Sequence, residues 1–374
     1  MKKLWAVIAA LIISSGAWAQ TSEYLTLYKH YEGKLGNKEA VLDIVYYDTD
    51  VMGVFYHKRT DTSLRLHGTV IDGEMELVDE ASDKTFIKAD TAGGINGKCL
   101  FKSLGGTANF VEDYSKSMRF NGISATLEHE IPFRSDEDSN ASAKIAVYYH
   151  YLQPAEYKGE AAAAQTRELF GEKFNTVPRQ SVEGDFFNPE PYPLMNFKNL
   201  LQASKNSFVE NVTRQLNDEP NISSFELLRE EVNNQYVTYN SNGLVSVINS
   251  CYSYLGGAHG MYAKVPVIFD LESGRTLDKG DIFKPGTDAK IISLIVKYFV
   301  DNGKASANDD DEEGIFTDQV FVDNNIGIEN GFLVFYYQPY DIDSYIAGIY
   351  TAKVRISDLL PYIIDNSPIK RMLK

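Results

Sequence analysis

The chain has 374 residues, long enough for two domains of ordinary size. Its 36 basic and 52 acidic residues give a formal net charge of −16, which argues against nucleic acid and anionic lipid as partners and favours a cationic one. Two cysteines and six histidines supply little material for a transition-metal centre.

The N-terminus reads as a secretory signal peptide over residues 1–19. Lys2 and Lys3 form its basic region, Leu4 to Ile13 its apolar core, and Ala17-Trp18-Ala19 a small-residue cleavage site before Gln20. The apolar run falls short of the roughly 20 residues that a membrane span needs, and no later stretch reaches that length. A mature chain from Gln20 would carry 34 basic against 52 acidic residues, a charge of −18. The expected location is periplasmic or secreted. Such a compartment leaves Cys99 and Cys251 either as two buried thiols or as one disulfide.

Residues 20–116 are dominated by short strands. Ala40 to Tyr47, Val51 to Lys58, Ser63 to Ile71 and Glu74 to Asp79 cluster or alternate apolar residues. Gly36-Asn37, Asp72-Gly73, Gly93-Gly94 and Gly105-Gly106 mark the connections, with Asp72-Gly73 the clearest two-residue hairpin turn. This spacing predicts a small antiparallel β-barrel-like domain, with a sandwich as the other possibility.

Residues 117–374 mix helices with strands. Ala143 to Leu152 is a strand candidate and Ala161 to Phe174 a helix by propensity. Phe197, Leu201, Phe208, Val212 and Leu216 recur at helical spacing, as do Ile291, Ile295 and Phe299 within Asp288 to Asp301. Asn240-Ser241-Asn242-Gly243 and Asn330-Gly331 supply hairpin turns, and Ser357 is an N-cap candidate for a last helix through Ile363. The fold class is α+β, an antiparallel sheet with packed helices. Asp309-Asp310-Asp311-Glu312-Glu313 is a block of like charge, read as a solvated loop. It lacks the alternating ligands and central glycine of an EF-hand, so no metal site is assigned.

Between two strand-like runs, Val245 to Leu255 and Tyr262 to Leu271, the segment Gly256-Gly257-Ala258-His259-Gly260 predicts a glycine corner that presents one imidazole. Gly256, Gly257 and Gly260 are its structural turn residues. His259 is the one residue suited to general acid–base work, with Asp270, Asp341 and Asp343 as possible partners. The alternative, favoured here, is that its ring bonds a turn carbonyl and locks the corner. Tyr340 and Tyr345, beside Pro339, can either pack on a sheet or offer an aromatic surface to a partner. No Gly-x-Ser-x-Gly, His-Glu-x-x-His or Gly-Lys-Ser/Thr signature occurs.

Residues from about 223 to 363 resemble the extracytoplasmic lysozyme-binding domain of the anti-sigma-V factor family. The same domain type also accompanies a peptidoglycan N-acetylglucosamine deacetylase domain. Tyr252-x-Tyr254-x-Gly256-Gly257-Ala258-His259-Gly260 and Phe269-Asp270-Leu271-x-Ser273-Gly274-x-x-Leu277 carry the resemblance, followed by Asp281-Ile282-Phe283, Phe335-x-x-Gln338-Pro339-Tyr340-Asp341-Ile342 and Tyr345-x-x-Gly348. It implies an α+β envelope domain that binds lysozyme, with contacts at Pro339, Tyr340, Asp341, Tyr345 and His259. The chain shows no sigma-binding segment and no deacetylase His-x-x-x-His, so what transfers is the binding module. Asp341 stands where the family usually has Glu, which keeps the charge and shortens its reach.

The expectation is therefore an exported, non-catalytic, cofactor-free binding protein of the bacterial envelope, with lysozyme-like protein or peptidoglycan as partner. The rivals are an envelope hydrolase or deacetylase using His259, and a small-molecule carrier with its ligand in the N-terminal barrel.

Overall fold

A computed structural model describes residues 26–373 apart from 61, 135–139, 176–178, 181–185, 188–196, 220–221 and 306–313. The expected signal peptide and cleavage site, and the Asp309 to Glu313 block, lie outside the described residues. Eight strands, β1 (Thr26–Leu35), β2 (Lys38–Tyr47), β3 (Asp50–His57), β4 (Ser63–Ile71), β5 (Glu74–Asp79), β6 (Lys84–Asp90), β7 (Ile95–Cys99) and β8 (Gly106–Glu112), form a closed antiparallel barrel. The closure is made between β1 and β8. Asp72 and Gly73 both take positive φ (52° and 84°), the type I′ geometry that an Asp-Gly hairpin favours.

Burial along the strands tells which side of the barrel is covered. In β2, Ala40, Leu42 and Ile44 point into the lumen, while Val41, Asp43 and Val45 are equally buried on the outside. Strand β5 instead alternates buried Met75, Leu77 and Asp79 with half-buried or exposed neighbours. So β1 to β3 pack against the rest of the molecule, whereas the far side meets water. The lumen itself is filled by fully buried side chains, among them Leu42, Phe55, Phe86 and Phe110. A ligand inside the barrel would have to displace that core.

The next layer is a mixed sheet. Strand β9 (Arg119–Pro132) pairs with β10 (Ser142–Tyr157), which also meets the two-residue β11 (Glu160–Ala161). After helices α1 (Ala164–Asn175) and α2 (Phe197–Asp218) and the short pair β12 (Arg179–Gln180) and β13 (Phe186–Phe187), the chain continues into β14 (Leu228–Ser241), β15 (Leu244–Tyr254), β16 (Met261–Asp270) and β17 (Arg275–Leu277). The expected sheet is antiparallel, but β10 and β14 run parallel. A parallel pair needs a long crossover, and α1 and α2 lie within that connection. Phe170 and Phe174 of α1 and Leu201, Phe208 and Val212 of α2 join the sheet core, with Phe170 stacked on Phe269.

A separate three-stranded antiparallel sheet, β18 (Ile326–Glu329), β19 (Phe332–Tyr337) and β20 (Tyr350–Arg355), completes the α+β plan. Two helices precede it, α3 (Lys279–Ile282) and α4 (Asp288–Asp301). Ile291, Ile295 and Phe299 of α4 are fully buried in one core with Ile268, Ile328 and Leu333. The last helix, α5 (Ile356–Leu359), departs from expectation. Ser357 does not cap it; Arg355 holds the cap position without a side-chain cap bond. Burial of Ile356 sets where the helix begins, and the chain leaves it early so that Ile363 can bridge to Phe283. Cys99 sits in the barrel core and Cys251 against Ala263, two separate buried thiols.

Candidate functional site

The glycine corner joins β15 to β16. Gly256 and Gly257 both adopt positive φ, 83° and 99°. A Cβ on Gly256 would lie 2.3 Å from the Glu226 carbonyl oxygen, while one on Gly257 would meet open space. Gly260 is tight for another reason, since a Cβ there would press on the Tyr252 ring at 2.5 Å. His259 is exposed, with Nδ1 3.0 Å from the Gly260 carbonyl oxygen.

The second motif follows β19. Gln338 fastens it to β16: its amide donates to the Lys264 carbonyl at 2.8 Å and accepts from the Lys264 N–H at 3.0 Å. The next residues form a turn in which Asp341 N–H donates to the Gln338 carbonyl and Asp341 Oδ2 accepts from Gln338 N–H at 2.6 Å. Pro339 is buried, so it shapes the turn rather than offering a surface. Half-burial raises the Asp341 carboxyl above its ordinary range, and that group is spent on bracing the turn. Tyr340 takes φ 75°, an unusual conformation for a bulky residue, and its side chain is left 63% exposed.

The two motifs meet in space. Tyr345 stacks on His259 with ring centres 4.2 Å apart, its hydroxyl donates to the Gly260 carbonyl, and Tyr340 lies 5.5 Å away. Tyr262 of β16 touches Tyr345 edge-on at 5.8 Å, and Ile346 beside it is 93% exposed. Residues from two distant parts of the chain thus assemble one aromatic surface. Pro339 and Asp341 support it from below. The three carboxylates considered for His259 are engaged elsewhere: Asp270 with Arg371 and Ser273, Asp341 in its turn, and Asp343 with Tyr350 at 2.6 Å.

A second cluster escaped the sequence reading. Ser117 Oγ lies 3.0 Å from His30 Nε2, and His30 Nδ1 lies 2.6 Å from Asp43 Oδ1, the connectivity of a Ser-His-Asp triad. All three residues are at most 2% exposed, at the seam between barrel and sheet. Burial alone would lower the His30 pKa, but the Asp43 carboxylate, helped by Glu32, holds it up at about 9. A ring protonated on both nitrogens cannot take a proton from Ser117, whose hydroxyl donates to the Asn240 carbonyl at 2.8 Å. Tyr28 donates to Asp43 at 2.6 Å and Asn240 donates to Tyr28 at 2.7 Å, so the cluster ties the two layers together. The available signal was one Asp inside the apolar run of β2.

A second seam is ionic. Glu329, fully buried at the end of β18, receives Arg65 of the barrel at 2.6 Å and Lys353 of β20 at 2.5 Å. Burial would raise its carboxyl, but the two cations override it and hold the group down at about 2.

Comparison with known proteins places this architecture in a recognised fold group. Residues 280–357 match a family described as "Protein of unknown function (DUF3298)". That segment contains Tyr340 and Tyr345, while the glycine corner lies outside it. A DUF3298-family crystal structure from Bacteroides fragilis is 15% identical, with a TM-score of 0.51 over 70% of this chain and 99% of that one. Another, from Pseudomonas aeruginosa, is 18% identical with a TM-score of 0.42 over 66% and 95%. No functionally curated protein matches the chain. Among the described residues no helix is long and apolar enough to cross a membrane.

Proposed function

We propose that the protein is an exported, non-catalytic binding protein of the bacterial envelope, and that its C-terminal region recognises a cationic, lysozyme-like protein. One observation carries this reading: two distant motifs converge on an exposed aromatic surface whose tip, Tyr340, is held at positive φ. Tyrosines of this kind are common anchors at protein interfaces, because they bring large contact area at small entropic cost. The acidic balance favours a basic partner, and the resemblance over residues 223–363 points to the same one.

Calorimetry with the mature chain and a cationic lysozyme tests the proposal. Binding should weaken by roughly thirtyfold in Tyr340→Ala, the effect of losing about 2 kcal/mol at an aromatic anchor. Its association rate should fall with salt as the screening length contracts to about 8 Å at physiological strength. Absence of any complex, alongside Tyr340-dependent binding to purified sacculi, would move the partner to peptidoglycan. A His259-dependent cleavage or deacetylation of glycan would replace the binding reading altogether.

A further inference from the structure

The aromatic surface continues past the glycine corner onto a segment that neither motif contains. Just ahead of β14, Ser224 to Leu227 form a single 3-10 turn, capped by the Ser223 hydroxyl, which accepts from the Phe225 N–H at 3.3 Å. Leu227 is fully buried in the sheet core and anchors the turn, while Phe225 is left 59% exposed. The Phe225 ring meets that of Tyr254, on β15, with centres 5.6 Å apart. Tyr254 in turn donates its hydroxyl to the Gly257 carbonyl at 2.9 Å. The corner also presses on the turn directly: a Cβ on Gly256 would lie 2.3 Å from the Glu226 carbonyl oxygen, so only glycine lets the two backbones come this close. Arg229 fixes the turn from within, donating to the Glu226 and Leu228 carbonyls at 2.7 and 2.8 Å. Phe225 is therefore presented by a braced turn.

Contacts run from Phe225 through Tyr254 to Gly257, and from His259 through Tyr345 to Tyr340. The exposed segment Gly257-Ala258-His259 links these two aromatic groups, and an added Cβ on Gly257 would meet open space. Large apolar side chains exposed along one run of contacts mark an interaction surface, whereas scattered ones do not. Both ends carry acid. Glu226 is exposed beside Phe225, and half-buried Glu230 stands opposite Tyr254 in register. At the other end Asp343 lies in the chain between Tyr340 and Tyr345. Arg229, the cation at the Phe225 end, is 6% exposed and spent on carbonyls, so the accessible charge there is negative. That charge selects a basic partner.

We propose that Phe225 is a second anchor of the partner surface, so that a cationic protein straddles the glycine corner from Phe225 to Tyr340 with Glu226 facing its basic groups; the inference rests on the binding reading above. Calorimetry and stopped-flow association of the mature chain with a cationic lysozyme test it. Phe225→Ala should weaken binding about tenfold or more with little change in thermal midpoint, and Phe225→Trp should retain it. Phe225 and Tyr340 touch different neighbours, so their losses should multiply in the double variant. Glu226→Lys changes an exposed side chain whose backbone carbonyl makes the fold contacts, and keeps the test valid if Phe225→Ala fails to fold. It should cut the association rate several-fold and flatten its dependence on salt. Binding that responds to Tyr340→Ala but is indifferent to Phe225→Ala or to Glu226→Lys would overturn this inference and leave the Tyr340 surface standing. Failure of the parent to bind any lysozyme would remove the reading beneath it, and this inference with it.

Discussion

The seam between barrel and sheet and the aromatic surface at the far end of β16 use polar and aromatic groups in opposite ways. At the seam, His30, Asp43, Ser117 and Asn240 are buried and engaged with one another, and Glu329 holds two cations. At the surface, Tyr340 and His259 stand in solvent, and the backbone carries an unusual φ to keep Tyr340 there. A triad-like connectivity at the first location does structural work because protonation and burial remove its base and its access. Unremarkable residue types at the second form the better binding candidate, because their bonding leaves ring faces free. Accessibility and protonation state, rather than connectivity, separate the two.

Breaking the ionic seam should have the largest effect. Glu329→Ala leaves Arg65 and Lys353 facing each other across a buried gap, and loss of one partner of a buried pair costs about 3–5 kcal/mol. Urea denaturation of parent and variant measures it; a loss under about 1 kcal/mol would mean that the seam is wet and weak. Because Glu329 is held down at about 2, its contribution is present above about 4.5 and is lost as pH falls towards 2.

The glycine corner comes next. Gly256→Val combines positive φ with a Cβ 2.3 Å from a backbone oxygen, and should destabilise by about 2–3 kcal/mol. Gly257→Val suffers only the φ penalty and should cost less. His259→Ala, at an exposed position, should stay within about 0.5 kcal/mol. Thermal midpoints of the three variants rank them, and Gly256→Val as stable as the parent would refute the corner.

The His30 seam predicts an alkaline weakness. Its folded pKa of about 9 stands above an unfolded value of about 6.5. Its stabilisation is therefore complete below about 6.5 and disappears as pH rises through 9, a loss on the order of 3 kcal/mol. Denaturation midpoints at pH 6 and pH 9 should fall in the parent and stay flatter in Asp43→Asn.

The smallest effect has the opposite sign. Tyr340→Gly relieves the positive φ and should raise stability by up to about 1 kcal/mol, while removing the proposed anchor. A variant both less stable and fully competent in binding would show that Tyr340 is a packing residue, and the contrast between seam and surface would collapse.

Strand and helix content was legible wherever period and turn chemistry agreed. Ser63 to Ile71, Glu74 to Asp79 and Asp288 to Asp301 have the same limits in sequence and structure, and Asp72-Gly73 makes its hairpin. The members of the aromatic surface were also legible as residue types. Their meeting was not, since Tyr345 and His259 touch only because Gln338 fastens one loop to the edge of β16.

By itself, the sequence determined the local alternation, the turns and the acidic balance, because these depend on neighbours a few residues apart. Tertiary structure alone decided that β10 and β14 run parallel, that one face of β2 meets a second core, and that Ser357 yields its cap position to the burial of Ile356. It also decided that His30, Asp43 and Ser117, spread over 88 positions, share one proton network. Such outcomes depend on which surfaces exclude water together, and linear order carries no record of that.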